Sequence, residues 1–242
     1  QLVQEIHRES PDKGYRRIRD DLDKYYHTPV NDKRTLRICR GLGIQSVVKH
    51  APHGCTRAAS SPRQLAENVL DRQFYADRPN EKWLTDVTEF HYYTGTNMRK
   101  LYLSAILDLC DRRIVSFIIR DTNDAALVHR TLAQALEGNP GARPLLHSDR
   151  GSAYTTQIFH DKLAAAGITQ SMSRVGKCID NGPMEGFWGI LKRERYYGRR
   201  FTSREQLVNM IQEDITYYNF HRLQRGLGVR TPMEVHDRLL AA

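Results

Sequence analysis

Cysteine is scarce in this chain: four residues in 242, Cys39, Cys55, Cys110 and Cys178, with no paired spacing. That excludes a disulfide framework and reads as reduced thiols in a cytosolic protein. The tract His50-x-x-His53-x-Cys55 lacks a fourth ligand at finger spacing, so it falls short of a structural zinc site. Long apolar runs are missing too. None approaches the ~20 residues of a membrane helix, and Gln1 to Pro11 carries charge where a secretion signal needs an apolar centre. With 40% apolar residues and only 16 Gly and 9 Pro, the composition speaks against disordered, collagen-like and coiled-coil classes as well. Position 1 is Gln, which suits a fragment or a reading frame without its own start.

What the chain has is positive charge: 37 Lys and Arg against 28 Asp and Glu, net +9. Residues 1–80 are net +5, residues 81–180 net +1 and residues 181–242 net +3. Residues 33–66 hold seven Lys or Arg and no acid. Basic flanks around a nearly neutral middle suit a polyanion bound along the flanks, although a solvated basic surface has the same composition.

The N-terminal 45 residues read as three short helices: Gln1 to Glu9, Gly14 to Tyr26, and Asp32 to Arg40 capped by Asn31. The third exposes Lys33, Arg34, Arg37 and Arg40, the outline of a helix-turn-helix DNA reader rather than a plain three-helix bundle. Residues 46–76 read as a linker and a short helix, Arg63 to Phe74. From 77 to 200 the pattern becomes three strands (Trp83–Tyr92, Lys100–Cys110, Arg113–Arg120) and a helix (Asp124–Glu137). A strand (Pro144–Ser148), a helix (Thr155–Ala166) and a strand (Ile168–Ser173) follow. A long helix then opens at Pro183. Helices over Ser203–Tyr218 and Pro232–Leu240 fill residues 201–242. The order predicts an α/β domain, a mixed sheet flanked by helices with an antiparallel meander feeding parallel crossovers, as in a ribonuclease H-like sheet.

Three carboxylates fall in telling places. Asp86 lies inside the first strand among Trp83, Leu84, Val87 and Phe90, where a bare carboxylate is costly unless paired or metal-bound. Asp149 ends an apolar strand, where ligand sites of α/β sheets collect. Glu185 lies in the first turn of the long helix, beside an apolar stripe of Met184, Phe187, Trp188 and Leu191. Lys192, seven residues on, projects about 20° from Glu185 and roughly 10 Å along the axis. Clustered carboxylates without thiolates suit Mg²⁺ and phosphoryl transfer at two metal ions. Asp108, Asp111 and Asp180 read instead as strand-end and loop residues.

HSDRGSAY (147–154), thirty-five residues between Asp149 and Glu185, and DNGPMEGFWGILKRE (180–194) resemble the catalytic core of bacterial insertion-sequence transposases. The group is the insertion-sequence-three group of the Asp-Asp-Glu integrase superfamily. WLTDVTEF (83–90), LDLCDRRIVSF (107–117), GYRRIRDDL (14–22) and YYNFHRLQRGLGVRTPMEV (217–235) extend the likeness over nearly the whole chain. The resemblance implies that Asp86, Asp149 and Glu185 hold two Mg²⁺ ions, with Mn²⁺ able to substitute. The chemistry it implies is 3′-end nicking and strand transfer of a mobile element. Lys192 would contact terminal DNA, and His147 and Asn181 would support the acids from behind. It further implies double-stranded DNA partners, at least a dimer, a first-frame partner or fusion, no membrane, and a cytoplasmic, nucleoid-associated location. A same-fold nuclease that never joins strands, or an inert DNA-binding derivative, would share these features.

Overall fold

The computed structural model describes residues 1–48 and 65–241, the Cys178 side chain apart. The zinc-like tract and most of the expected linker lie outside the described residues.

Helices α1 (Leu2–Glu9), α2 (Tyr15–Lys24) and α3 (Asp32–Gly41) form the N-terminal unit. Asn31 caps α3 as expected, its side chain accepting the Arg34 N–H at 2.8 Å. Val3, Ile6, Ile18, Leu22 and Cys39 close a small core of their own.

The main domain is built on a five-stranded sheet: β1 (Lys82–Thr94), β2 (Asn97–Asp108), β3 (Ile114–Arg120), β4 (Leu145–Ser148) and β5 (Thr169–Met172). Strand order is β3-β2-β1-β4-β5, with β1–β2 and β2–β3 antiparallel and β1–β4 and β4–β5 parallel. Gly95 supplies the positive φ (63°) at the first hairpin, while Arg112 adopts one (66°) at the second. The chain crosses from β3 to β4 through α4 (Ala125–Gly138) and from β4 to β5 through α5 (Gln157–Ala165). It then runs into α6 (Gly182–Leu191), α7 (Arg204–Phe220) and α8 (Pro232–Leu240). This is the expected ribonuclease H-like arrangement, a mixed sheet flanked by helices.

Each sheet face carries a core. Leu84, Phe90, Leu103 and Leu107 pack beneath α6 and α7 residues such as Met184, Phe187, Leu207 and Ile211. Trp83, Ile106 and Leu146 pack beneath α4 and α5 residues such as Leu132 and Phe159. Each fully buried Leu or Phe contributes about 1.5–3 kcal/mol.

Two elements differ from expectation. Residues 65–74, read as the end of a short helix, form no helix. The segment lies against β5 instead: Met172 N–H donates to the Glu67 carbonyl, and Leu70 N–H to Ser171 Oγ. Asp71 and Arg72 both have positive φ, which a helix does not accommodate. A 3₁₀ turn at Cys178–Asn181 precedes α6, and a π turn at Lys192–Tyr196 follows it, neither visible in the apolar periodicity.

Candidate active site

Alternation along β1 sends Trp83 and Val87 towards α4 and α5, and Leu84 and Phe90 towards α6. Asp86, in phase with Leu84 and Phe90, faces α6. Parallel pairing of β1 with β4 then fixes its neighbour. The pairing ends with Leu84 opposite His147, and just beyond it Asp149 lies near enough for its charge to act on Asp86. One register thus brings two carboxylates together where β4 ends.

Both oxygens of half-buried Asp86 are held: Oδ1 accepts the Val87 N–H at 2.8 Å and Oδ2 accepts the Trp188 indole N–H at 3.0 Å. Asp149 Oδ1 accepts the Gly151 N–H at 2.8 Å. A Cβ at position 151 would stand 2.9 Å from that oxygen, so glycine leaves room for the Asp149 carboxylate to rest on this N–H. Desolvation, then the charge of Asp149 and more weakly that of Glu185, push the Asp86 carboxyl well above the usual range. Asp149 is exposed as a residue, yet protein crowds its carboxylate and the loss of water raises it too. Beneath the pair, the buried phenol of Tyr154 lies 3.3 Å from Thr85 Oγ1. Burial, with the charges of Asp86 and Asp149, drives it strongly upward.

Glu185 sits in the first turn of α6, where Met184, Phe187, Trp188 and Leu191 are buried and clamp the helix to the sheet. Its own side chain is exposed, near enough to repel Asp86. Among the described residues, no three His, Cys, Asp or Glu side chains surround one point closely enough to hold a metal ion. The donor set nevertheless fits a hard divalent cation. Two carboxylates are held side by side against their repulsion, with only oxygen donors facing out and a third acid at the rim.

Lys192 extends from the end of α6 over the Phe90 ring, 5.0 Å from its centroid, and is attracted by Asp86 and Glu89 while burial lowers its pKa. Asn181 donates to the Thr85 carbonyl at 3.3 Å, and its Oδ1 is buried without a protein partner. His147 is turned away from the acids. Its ring bonds Ser171 Oγ at 2.8 Å and Ser173 Oγ at 3.1 Å, and burial brings its pKa down to about 4, so it ties β4 to β5 as a neutral ring. The three competing aspartates are all engaged: Asp108 by Asn80, Trp83 and Cys110, Asp111 by Arg113 and His236, and Asp180 by Arg72 and Arg174. On α3, Lys33, Arg34, Arg37 and Arg40 are exposed and form no ion pair among the described residues.

Trp188 carries the contact that periodicity missed. Its place on the apolar stripe marked it as packing. The available signal was that a buried indole needs an acceptor, one helical turn beyond Glu185.

Sequence comparison gives three matches to family models: Integrase core domain over residues 76–178, a second Integrase core domain over 166–232, and HTH-like domain over 1–52. The chain is 37% identical over 238 residues to the putative transposase InsK for insertion sequence element IS150 of Escherichia coli K12, covering 98% of this chain and 82% of the relative. It is 30% identical over 240 residues to transposase InsF for insertion sequence IS3A of the same organism, covering 94% and 78%. Among solved structures, a chain of the simian T-cell lymphotropic virus intasome complexed with PP2A regulatory subunit B56 gamma shares the fold. Its TM-score is 0.56 at 19% identity, over 97% of this chain and 74% of that one.

Proposed function

The chain belongs to the integrase-core transposases of the insertion-sequence-three group, and from that premise we propose that it nicks the 3′ ends of a mobile DNA element and joins them to target DNA. The observation that supports this reading is that the β1–β4 pairing ends just before Asp86 and Asp149, with the charges of Asp149 and Glu185 both acting on Asp86.

Asp86, Asp149 and Glu185 would hold Mg²⁺, as two ions, with Mn²⁺ able to replace it. When bound, the metal supplies Lewis acidity that activates the attacking oxygen and offsets charge on the leaving one. The chain's own groups do the rest. Val87 N–H and the Trp188 indole fix the Asp86 carboxylate, Gly151 N–H fixes that of Asp149, and the exposed Glu185 would turn inwards. Lys192, beside the acids, would hold a phosphate of the terminal DNA, and the exposed basic row of α3 would hold the duplex. Asn181, behind the strand at Thr85, would steady the site, and no side chain needs to act as a covalent nucleophile. Two element ends must be held at once, so the active form is at least a dimer.

The test uses an end-labelled duplex carrying the terminal sequence of the element that encodes the chain. Wild type should nick it and, given a free 3′ hydroxyl, yield joined products. Asp149→Asn should bind equally and do neither. Normal nicking by that variant would overturn the site, and nicking by wild type without joining would reduce the activity to a nuclease.

A further inference from the structure

The core of the α1–α3 unit shares no residue with the two cores flanking the sheet. Among the described residues, every ion pair and hydrogen bond that ties this unit to the rest ends in residues 194–234. Two residues on that stretch, Glu194 and Arg225, make the main grips.

At the first, Glu194 in the π turn beyond α6 accepts from Arg17 of α2 at 2.9 Å and from both terminal nitrogens of Arg222. Arg17 also reaches Asp12 at 2.9 Å and the Tyr217 hydroxyl at 3.3 Å. Glu194 and Arg222 are nearly buried, with side chains 10% and 11% exposed. A buried ion group of this kind adds little net stability, because desolvation cancels most of its attraction; its best-attested use is to fix a geometry.

At the second, Arg225 forks onto Asp20 of α2 (2.8 and 2.9 Å) and onto Asp32, the first residue of α3 (2.9 and 3.0 Å). It also donates to the Arg16 carbonyl at 3.1 Å. One planar guanidinium therefore grips both helices of the helix-turn-helix. Arg225 is itself set in a stiff turn, a 3₁₀ segment closed by the Gln224–Arg230 bridge and by Gly228 at positive φ. Tyr25 to the His221 carbonyl (3.1 Å) and Lys24 to Glu234 (2.7 Å) complete the seam.

Glu194 and Glu185 are carried on one run of helix, so the seam joins the site's third acid to the unit bearing the exposed basic helix. We propose that this polar clasp sets the distance and angle between α3 and the Asp86–Asp149 rim, and that Arg225 and Glu194 thereby determine which phosphodiester is cut. The segment around residues 217–234 is then a ruler within the chain rather than a third nucleic-acid module. That role presupposes that α3 holds DNA and that the rim cuts it, as proposed above.

The experiment compares wild type, Arg225→Met and the double variant Arg225→Met with Glu194→Gln. Asp32→Asn serves as a mild variant that removes only the more exposed half of the Arg225 grip. Each is read by small-angle scattering of the free protein and by the cut positions on the labelled terminal duplex. Wild type should be compact and cut at one phosphodiester. The double variant should keep its dichroism and duplex affinity, gain length in scattering, and spread its cuts over neighbouring positions. Cutting at the original position should fall by about 10- to 100-fold, since displacements near 1 Å cost that much. Scattering and cut pattern identical to wild type in the double variant would overturn the clasp. If even wild type leaves the duplex uncut, the proposed activity fails, and scattering alone still decides whether Arg225 and Glu194 hold the two units together.

Discussion

The indole N–H of Trp188 donates to Oδ2 of Asp86 across 3.0 Å, joining the helix that carries Glu185 to the strand that carries the first aspartate. Trp188 is nearly buried, so its donor has few alternatives to this oxygen. The bond fixes the Asp86 rotamer and the seating of α6 together, and the acids on both elements depend on it.

Trp188→Phe tests that dependence. Phenylalanine keeps the apolar packing against Phe187 but removes the donor. Thermal unfolding should show a loss of about 1–3 kcal/mol, from the smaller ring and the missing hydrogen bond to a charged group. Nicking should fall at least roughly tenfold while duplex affinity holds, the usual cost of removing a group that orients a ligand. Nicking at the wild-type rate would show that Val87 N–H alone holds Asp86.

The basic row of α3 makes a separate prediction. Arg34→Ala with Arg37→Ala removes two exposed cations that form no ion pair among the described residues, so the fold should be untouched. Duplex binding should weaken and depend less steeply on salt, the log–log slope shrinking by about 0.9 for each phosphate no longer neutralised. An unchanged slope would remove α3 from the DNA surface.

The types and order of the strands and helices were legible because the apolar spacing switches cleanly from period 3.6 to period 2 at Lys82. Asp149 and Glu185 were legible through their places after an apolar strand and in a first helical turn. The register that brings Asp86 to Asp149 was not, because parallel pairing is set by packing on both faces and leaves no local mark in either strand. Nor was the extended run at 65–74. Its polar and apolar residues permit a helix, but bonds to the Ser171 hydroxyl and the Met172 backbone of the edge strand and the left-handed Asp71 and Arg72 forbid one. The clasp was hidden for a further reason: Arg17, Glu194 and Arg225 look like ordinary surface charges until the fold brings them together across some 180 to 200 residues of chain.

Asp180 supplies a pH dependence. Its buried carboxylate accepts from Arg174 (backbone N–H and guanidinium) and from Arg72, and the Arg174 hydrogen bond leads in holding it well below the usual range. A carboxyl depressed in the folded state stabilises the fold above its unfolded pKa, near 3.9, and loses that contribution as pH falls through its folded value. Both arginines are half-exposed, so solvent screening limits the gain to about 2 kcal/mol. Asp180→Asn should lower the unfolding temperature at pH 7 and flatten the acid limb below about pH 4. An acid limb as steep as that of wild type would place the lability elsewhere.

The last prediction turns on the cost of keeping Asp86 and Asp149 together. Without a cation between them, two neighbouring carboxylates repel, and burial adds to the strain on Asp86. Neutralising one should therefore stabilise the metal-free chain. Asp149→Asn, which can keep its oxygen on the Gly151 N–H, should raise unfolding stability in EDTA by about 1–2 kcal/mol, a pKa unit being worth about 1.4. Mg²⁺ should do the same for wild type by binding the folded state, adding about 2.7 kcal/mol at a hundred times its dissociation constant. Asp149→Asn should lose most of that response, because its amide brings no charge to the cation. The two effects have opposite signs in one variant: more stable without metal, less responsive with it. A loss of core packing would lower stability under both conditions, so a thermal titration with EDTA and Mg²⁺ separates a metal-binding acid pair from an ordinary buried aspartate.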